Sequence, residues 1–460
     1  LSARHLDKLC ERVDTFSVSG DGERLVVRHR DDTIVVPSSH KVDDDDPAYI
    51  RVDLTRLRRT VNPRAEWRQM FDENGRLMAS HYWREDMNGV DWDSVLNRYR
   101  PLVDLCHVVD DLHDILWETV AELNTSHSYV SASGAAGDSD MRAGLLGADV
   151  SSGNDGAKVV RVIPGESSDP RAWSPLRAAG VAVTEGDVIV AVDGRKVGAD
   201  GNLGELLEGS AGRVVELTVR RGENERQVAV VPMADEAPLR YHDWVASRRR
   251  YVEEHSGGRL GYLHVPDMVS DGWAELHRQI GEATRHEGVI ADVRFNHGGH
   301  TSQLVVERLA RRVVGWDYSR WYATADTYPQ NAVRGPIVMV TNQWAGSDGD
   351  IVAAATQAMG YAKVIGERSW GGVVGIDGRF DLVDGTSVTQ PRYAGWYGSY
   401  GWGVENHGVD PDIVVTVSPE DWEADCDVQL DAAIAECLRQ LDDKPAATAP
   451  ELPGPAFDRC

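Results

Sequence analysis

The segment Ala345-Gly346-Ser347-Asp348 joins an apolar run, residues 336–341, to a stretch of helical composition, residues 350–359. A serine at such a turn is exposed beside the free N–H groups and the positive dipole end of the helix, which stabilise negative charge next to it. Its small neighbours, Ala345, Gly346 and Gly349, let a substrate backbone come close. The chemistry on offer is nucleophilic attack by Ser347. That requires a base within hydrogen-bond reach, a group that orients the base, and donors for an oxyanion. The competing reading is structural: Ser347 or Asp348 could simply cap the helix.

Among the 15 histidines, His127 is set apart by its surroundings, Thr125-Ser126-His127-Ser128-Tyr129-Val130. It directly follows a helical segment, and a hydroxyl on either side could hold the imidazole in one tautomer. The alternative is a loop histidine facing water. The run Asp292-Val293-Arg294-Phe295-Asn296-His297-Gly298-Gly299 leaves the end of a strand for a glycine pair. Ligands of open α/β sheets sit outside the carboxyl ends of the strands, so these glycine N–H groups and Ser347 are expected to share a crevice. An ordinary Gly-Gly turn is the alternative. Glu405, in Gly403-Val404-Glu405-Asn406-His407-Gly408, is a candidate carboxylate or else part of a surface turn, and His407 in the same loop is a competing base.

These residues need elements to position them. Residues 1–62 alternate apolar and polar about Gly20-Asp21-Gly22 and read as the last blade of a β-propeller whose other blades lie upstream. The acidic run 43–46 is then a surface loop. Residues 63–155 read as a helical domain carrying the His127 loop. Trp67, Met70, Phe71, Leu77 and Met78 fall near one helical face, Gly75 weakens its middle, and residues 131–156 read as a loop or linker. Residues 156–235 read as a β-rich module. Its pattern GV-x-V-x-x-GD-x-I-x-x-VDG, residues 180–194, resembles a PDZ domain, which binds a peptide as an added strand. Residues 236–441 alternate short apolar strands with helices, the mark of an α/β domain with a largely parallel sheet. Residues 442–460 are expected to form a disordered tail. The expected fold class is multidomain α/β.

Composition narrows the partners. The 460 residues carry a formal net charge of -26, which repels phosphate backbones and anionic lipid and so disfavours nucleic acid and membrane surfaces. Five cysteines without CxxC spacing fit a reduced, cytoplasmic setting with no disulfide framework or zinc site. No run of about 18 apolar residues is present to span a bilayer.

The segments AEWRQMF, LNTSHSYV, the PDZ-like run, DVRFNHGG, AGSDGD and GVENHGVDPD occur in the family order of the tricorn core proteases. Over about residues 62–436 the chain resembles the C-terminal half of that family, within the superfamily of C-terminal-processing (tail-specific) serine proteases. The resemblance implies Ser347 as nucleophile and His127 as base, with Ser126 linking the imidazole to Glu405. It implies the backbone N–H groups of Asp348 and Gly299 as oxyanion donors, Gly299 being preferred to Gly298. It also implies that Asp317, supplied by a neighbouring subunit, favours a basic residue before the scissile bond. Two departures stand out. Relatives with a Ser–Lys dyad place the lysine where this chain has Gly372, which favours His127, and only the end of one propeller is present.

The function implied is a serine peptidase that hydrolyses short unfolded peptides through an acyl-enzyme. It needs no metal or organic cofactor, forms a homo-oligomer (a hexamer by family similarity), and works downstream of a larger protease. A non-catalytic, PDZ-type peptide-binding scaffold is the alternative. A hydratase-like enzyme, which shares the glycine-amide oxyanion logic, would not explain Ser126-His127 together with a PDZ-like run.

Overall fold

The structure, a computed structural model, describes residues 8–452 apart from 12, 31, 59, 133–140, 199–201 and 322. It divides into two compact units, Leu1–Glu66 and Trp67–Cys460. The first unit holds a four-stranded antiparallel meander, Thr15–Val18, Arg24–His29, Asp32–Pro37 and Ile50–Val52, paired in sequence order. That is the size and topology of a single propeller blade. The 43–46 run lies in the connection before its last strand.

In the second unit, residues 67–81 of helix Pro63–His81 and the helices Trp92–Val103 and Val109–Ala121 bury the face anticipated from Met70, Phe71, Leu77 and Met78. Gly75 has a packing reason to interrupt that face. A Cβ there would lie 2.9 Å from the Leu96 side chain, and Trp92 Nε1–H donates to the Gly75 carbonyl at 3.0 Å. The PDZ-like sheet follows, with strands in the order Asn224–Val230, Val215–Arg221, Val188–Val192, Gly156–Val162, Ala148–Gly153. This corrects the linker expected over 131–156. Ala148–Gly153 is an edge strand paired along its length with Gly156–Val162, and Leu146 and Ala148 enter the module's core. Its Ser/Gly composition hid it because an edge strand needs only one buried face. Residues 133–140 of that expected linker lie outside the described residues.

The third sheet is five-stranded and parallel, in the order Leu260–His264, Gly288–Asp292, Ile337–Thr341, Ala362–Gly366, Ile413–Val414. Strands Leu260–His264, Gly288–Asp292 and Ile337–Thr341 are buried at every position, which is why they read as largely apolar runs. Side chains alternate between the faces. Leu263, Val289, Ala291, Ile337 and Met339 pack into one core with residues of helices Ser270–Ala283, Ser302–Leu309 and Asp348–Met359. Tyr262, Ile290, Val338 and Val340 pack into another with helices Ala237–His255 and Val428–Asp443. Each fully buried aliphatic side chain contributes roughly 1.5–3 kcal/mol.

The tail expected from 442 onward is ordered at its start. Residues 442 and 443 close the last helix, and the Ala447 N–H donates to the Arg334 carbonyl at 2.8 Å. Residues 453–460, including Cys460, lie outside the described residues. No helix among the described residues is long and apolar enough to cross a membrane.

Candidate active site

Ser347 follows strand Ile337–Thr341 by a short turn and immediately precedes helix Asp348–Met359, with φ 59° and ψ −121°. A non-glycine residue held in such a conformation carries strain of order 1–3 kcal/mol, and such strain concentrates at functional sites. Its side chain makes no capping hydrogen bond, so the capping alternative does not account for Ser347. The Asp348 carboxylate serves a different helix: it accepts the N–H (2.8 Å) and the hydroxyl of Ser302 at the start of Ser302–Leu309.

Two buried asparagines fasten the glycine loop to the serine turn. Asn296 donates to the Val265 carbonyl at 2.8 Å, accepts the Gly298 N–H at 2.9 Å, and offers its own carbonyl to the Gly346 N–H at 3.0 Å. Asn342 Oδ1 accepts the N–H groups of Phe295 at 3.0 Å and Trp344 at 3.2 Å. Beneath them the Arg294 guanidinium bridges the Asp292 and Asp427 carboxylates, all three buried. Gly298 has φ +74°, and a Cβ on it would fall 2.5 Å from that of Ser347. Its N–H is committed to Asn296. The N–H groups of Gly299 and Asp348, by contrast, have no protein acceptor among the described residues.

His127 comes from the other end of the unit. Ser126 Oγ lies 3.0 Å from His127 Nδ1 and donates to Glu405 Oε2 at 3.0 Å, and the Ser126 N–H donates to Glu405 Oε1 at 2.7 Å. With its own proton given to the carboxylate, the Ser126 oxygen accepts from Nδ1–H, which leaves Nε2 as a bare acceptor. Glu405 Oε2 is held in turn by the N–H groups of Val373 (2.8 Å) and Val374 (3.0 Å). Burial pushes the His127 imidazole below its ordinary value, and the Glu405 charge pulls it back up. Of the two flanking hydroxyls only Ser126 holds the ring, since Ser128 Oγ is buried without a partner.

Both halves meet at one cavity of about 480 Å³, lined by Ser347, His127, Gly299 and Gly346, with Tyr129, Trp344 and Trp370 as aromatic walls. The Trp370 indole stands edge-on to His127 (ring centroids 5.4 Å apart) and closes over Gly346, where a Cβ would meet it at 2.7 Å. Two expected residues stay apart. His407 is exposed, lies 2.9 Å from Asp410, and is not among the cavity's lining residues, so it is not placed to serve Ser347. Asp317 is exposed on the two-stranded hairpin Gly315–Asp317/Asp326–Tyr328 and is likewise absent from the lining.

Sequence reading missed Trp370 and Thr389. The Thr389 hydroxyl donates to the His127 carbonyl and accepts the Tyr129 N–H at 2.7 Å, clamping a histidine whose φ is 61°. Nothing local in SVTQPRY marks that threonine, because its partners lie about 260 residues earlier.

Three family models match the chain in series. They are the tricorn protease C1 domain at 63–121, the tricorn protease PDZ domain at 144–235, and peptidase family S41 at 259–415. The chain belongs to the tricorn protease family. Tricorn protease homolog 1 of Streptomyces coelicolor is 56% identical over 458 residues, 98% of this chain and 43% of that protein. The tricorn protease of Thermoplasma acidophilum is 35% identical over 96% of this chain and 41% of its own length. A crystal structure of the tricorn protease superposes with a TM-score of 0.87 at 34% identity, covering 96% of this chain and 43% of that one. This tricorn-family chain thus spans about two fifths of the length of these relatives. The start of the PDZ match at 144 agrees with the edge strand Ala148–Gly153 belonging to that module.

Proposed function

We propose that this chain carries the hydrolytic centre of a tricorn-type serine peptidase acting on short unfolded peptides. Ser347 is the nucleophile, His127 the base and then the acid, Ser126 and Glu405 the relay that orients and polarises the imidazole, and the Gly299 and Asp348 amides the oxyanion donors. One observation carries the reading: Ser347, whose side chain is not used for capping, shares a cavity with a histidine locked through Ser126 onto Glu405.

His127 Nε2 takes the hydroxyl proton as Ser347 Oγ bonds to the scissile carbonyl carbon, and the carbonyl oxygen gains its charge between the two unpaired amides. The imidazolium then gives its proton to the leaving amine, and the C–N bond breaks to leave an acyl-serine. Water, deprotonated by the same nitrogen, adds to that ester; the proton then returns to Ser347 Oγ as its bond to the acyl carbon breaks and the peptide acid leaves. Gly299 is supported over Gly298 because the Gly298 amide is already engaged.

The proposal includes a division into blade-like, helical, PDZ-like and α/β parts, with the helical part bringing His127 and the α/β part bringing Ser347 and Glu405. It extends to a cytoplasmic homo-oligomer, hexameric by family likeness and working downstream of a larger protease. In that oligomer Asp317 reaches a neighbouring subunit's cavity, a role in keeping with its exposed hairpin. The scaffold alternative gains no support from the family matches. The test is labelling by a fluorophosphonate. Wild type is expected to be labelled, with Ser347→Ala and His127→Ala unlabelled; equal labelling of wild type and Ser347→Ala, or none in either, overturns the reading.

A further inference from the structure

Asp350 is buried, ionisable and outside the machinery just described. It is the third residue of helix Asp348–Met359, one turn from Ser347. Its Oδ1 accepts the Ser369 hydroxyl and the Gly371 N–H, the latter at 2.8 Å, while Oδ2 has no hydrogen-bond partner. The amides of Ser347 and Gly372 also face the carboxyl, outside hydrogen-bond geometry. A buried carboxyl with one bare oxygen is costly, and such costs persist where the surrounding structure depends on the group.

What depends on it is the loop 369–374. Between the two residues that Asp350 holds stands Trp370, which touches both His127 and Gly346 and donates its N–H to the Ala345 carbonyl at 3.0 Å. Just beyond them Val373 and Val374 grip Glu405. The same loop lies backbone to backbone on the Glu405 loop. A Cβ on Gly371 would meet the Gly408 nitrogen at 2.5 Å, and the Gly371 carbonyl accepts the Asn406 N–H at 2.7 Å. Ser369 Oγ also accepts the Val409 N–H at 2.9 Å.

We infer that Asp350 is a positioning residue, registering the helix that carries Ser347 against the loop that holds Trp370 and Glu405. This rests on the peptidase reading above. The carboxylate is the joint between the nucleophile half and the histidine half of the site. Burial pushes its carboxyl up to about 6 against the pull of Ser369 and Gly371, so the joint is held under electrostatic cost.

The experiment compares Asp350→Ala, Asp350→Asn and Ser369→Ala with wild type for fluorophosphonate labelling rate, kcat, KM and melting temperature. Losing the joint displaces reacting groups by a fraction of an ångström to an ångström, so Asp350→Ala is expected to lose roughly ten- to a hundredfold in kcat and labelling rate with KM nearly unchanged. Asp350→Asn should recover part of that, because its amide oxygen can still accept from Ser369 and Gly371. Ser369→Ala should lose a smaller factor in kcat with KM nearly unchanged, and melt somewhat lower because it strips a partner from Asp350 and from the Val409 N–H. A folded Asp350→Ala labelled at the wild-type rate would overturn the inference, and so would an Asp350→Asn no better than Asp350→Ala. If Asp350→Ala does not fold, Ser369→Ala, assayed well below its melting temperature, decides: a slower kcat at unchanged KM supports the joint, and a wild-type kcat overturns it. Absence of Ser347-dependent labelling in wild type would overturn the peptidase reading itself, which separates the two failures.

Discussion

Replacing Glu405 by glutamine removes the charge at the end of the relay and leaves its shape. Two consecutive 3.0 Å hydrogen bonds through Ser126 Oγ place the carboxylate within about 6 Å of the imidazole. At an effective dielectric constant near 20, a unit charge at that distance stabilises an imidazolium by about 3 kcal/mol, or about a hundredfold in rate. Glutamine also turns one accepting oxygen into a donor facing an N–H group, so the estimate is a lower one. Glu405 lines a second cavity with Tyr82, Trp83 and Trp402, apart from the Ser347 cavity, so substrate binding should be spared. Steady-state kinetics on a fluorogenic peptide should show kcat down about a hundredfold with KM unchanged. The pH profile adds a sign. Burial lowers His127 and Glu405 raises it, so the acid limb of kcat/KM lies below the ordinary histidine value in wild type and moves lower still in Glu405→Gln. A Glu405→Gln enzyme within twofold of wild type, with an unmoved acid limb, would refute the relay.

Three further outcomes follow from the same geometry. Gly298→Ala forces a Cβ onto Ser347 at positive φ, so kcat should fall by more than about a hundredfold while melting drops only modestly; near-normal kinetics would contradict the packing seen there. Arg294→Ala leaves the buried Asp292 carboxylate without an ion-pair partner and Asp427 with Arg248 alone, and should destabilise the α/β part by about 3–5 kcal/mol, read as a lowered urea midpoint. Asp317→Ala should abolish any preference for basic residues before the cleaved bond in a mixed-peptide digest; an unchanged preference removes Asp317 from the pocket.

Much of the scaffold was legible because its physics is local. Buried parallel strands such as Ile337–Thr341 must be apolar along most of their length, and a strand-to-helix turn around a nucleophile must be small, so PIVMVT and AGSDGD mark themselves. The edge strand Ala148–Gly153 was not legible, because one exposed face lets serine and glycine imitate a linker. In the site, the adjacency of Ser126 and His127 was visible in sequence, and their link to Glu405 came only through family likeness, since 279 residues separate Ser126 from Glu405. Trp370, Thr389 and Asp350 stayed hidden for the same reason: each acts on a partner that only folding brings near. The His407 alternative illustrates the converse. Proximity to Glu405 in sequence did not bring it to Ser347, because its ring turns to Asp410.

The most direct measurement is a crystal structure of the protein after reaction with a peptidyl phosphonate. It should show phosphorus bonded to Ser347 Oγ, its oxygen between the Gly299 and Asp348 N–H groups, and His127 Nε2 within about 3 Å of the serine oxygen or the leaving-group position. An adduct on any other residue, or a Ser347 adduct whose oxygen points away from both amides, would contradict the account.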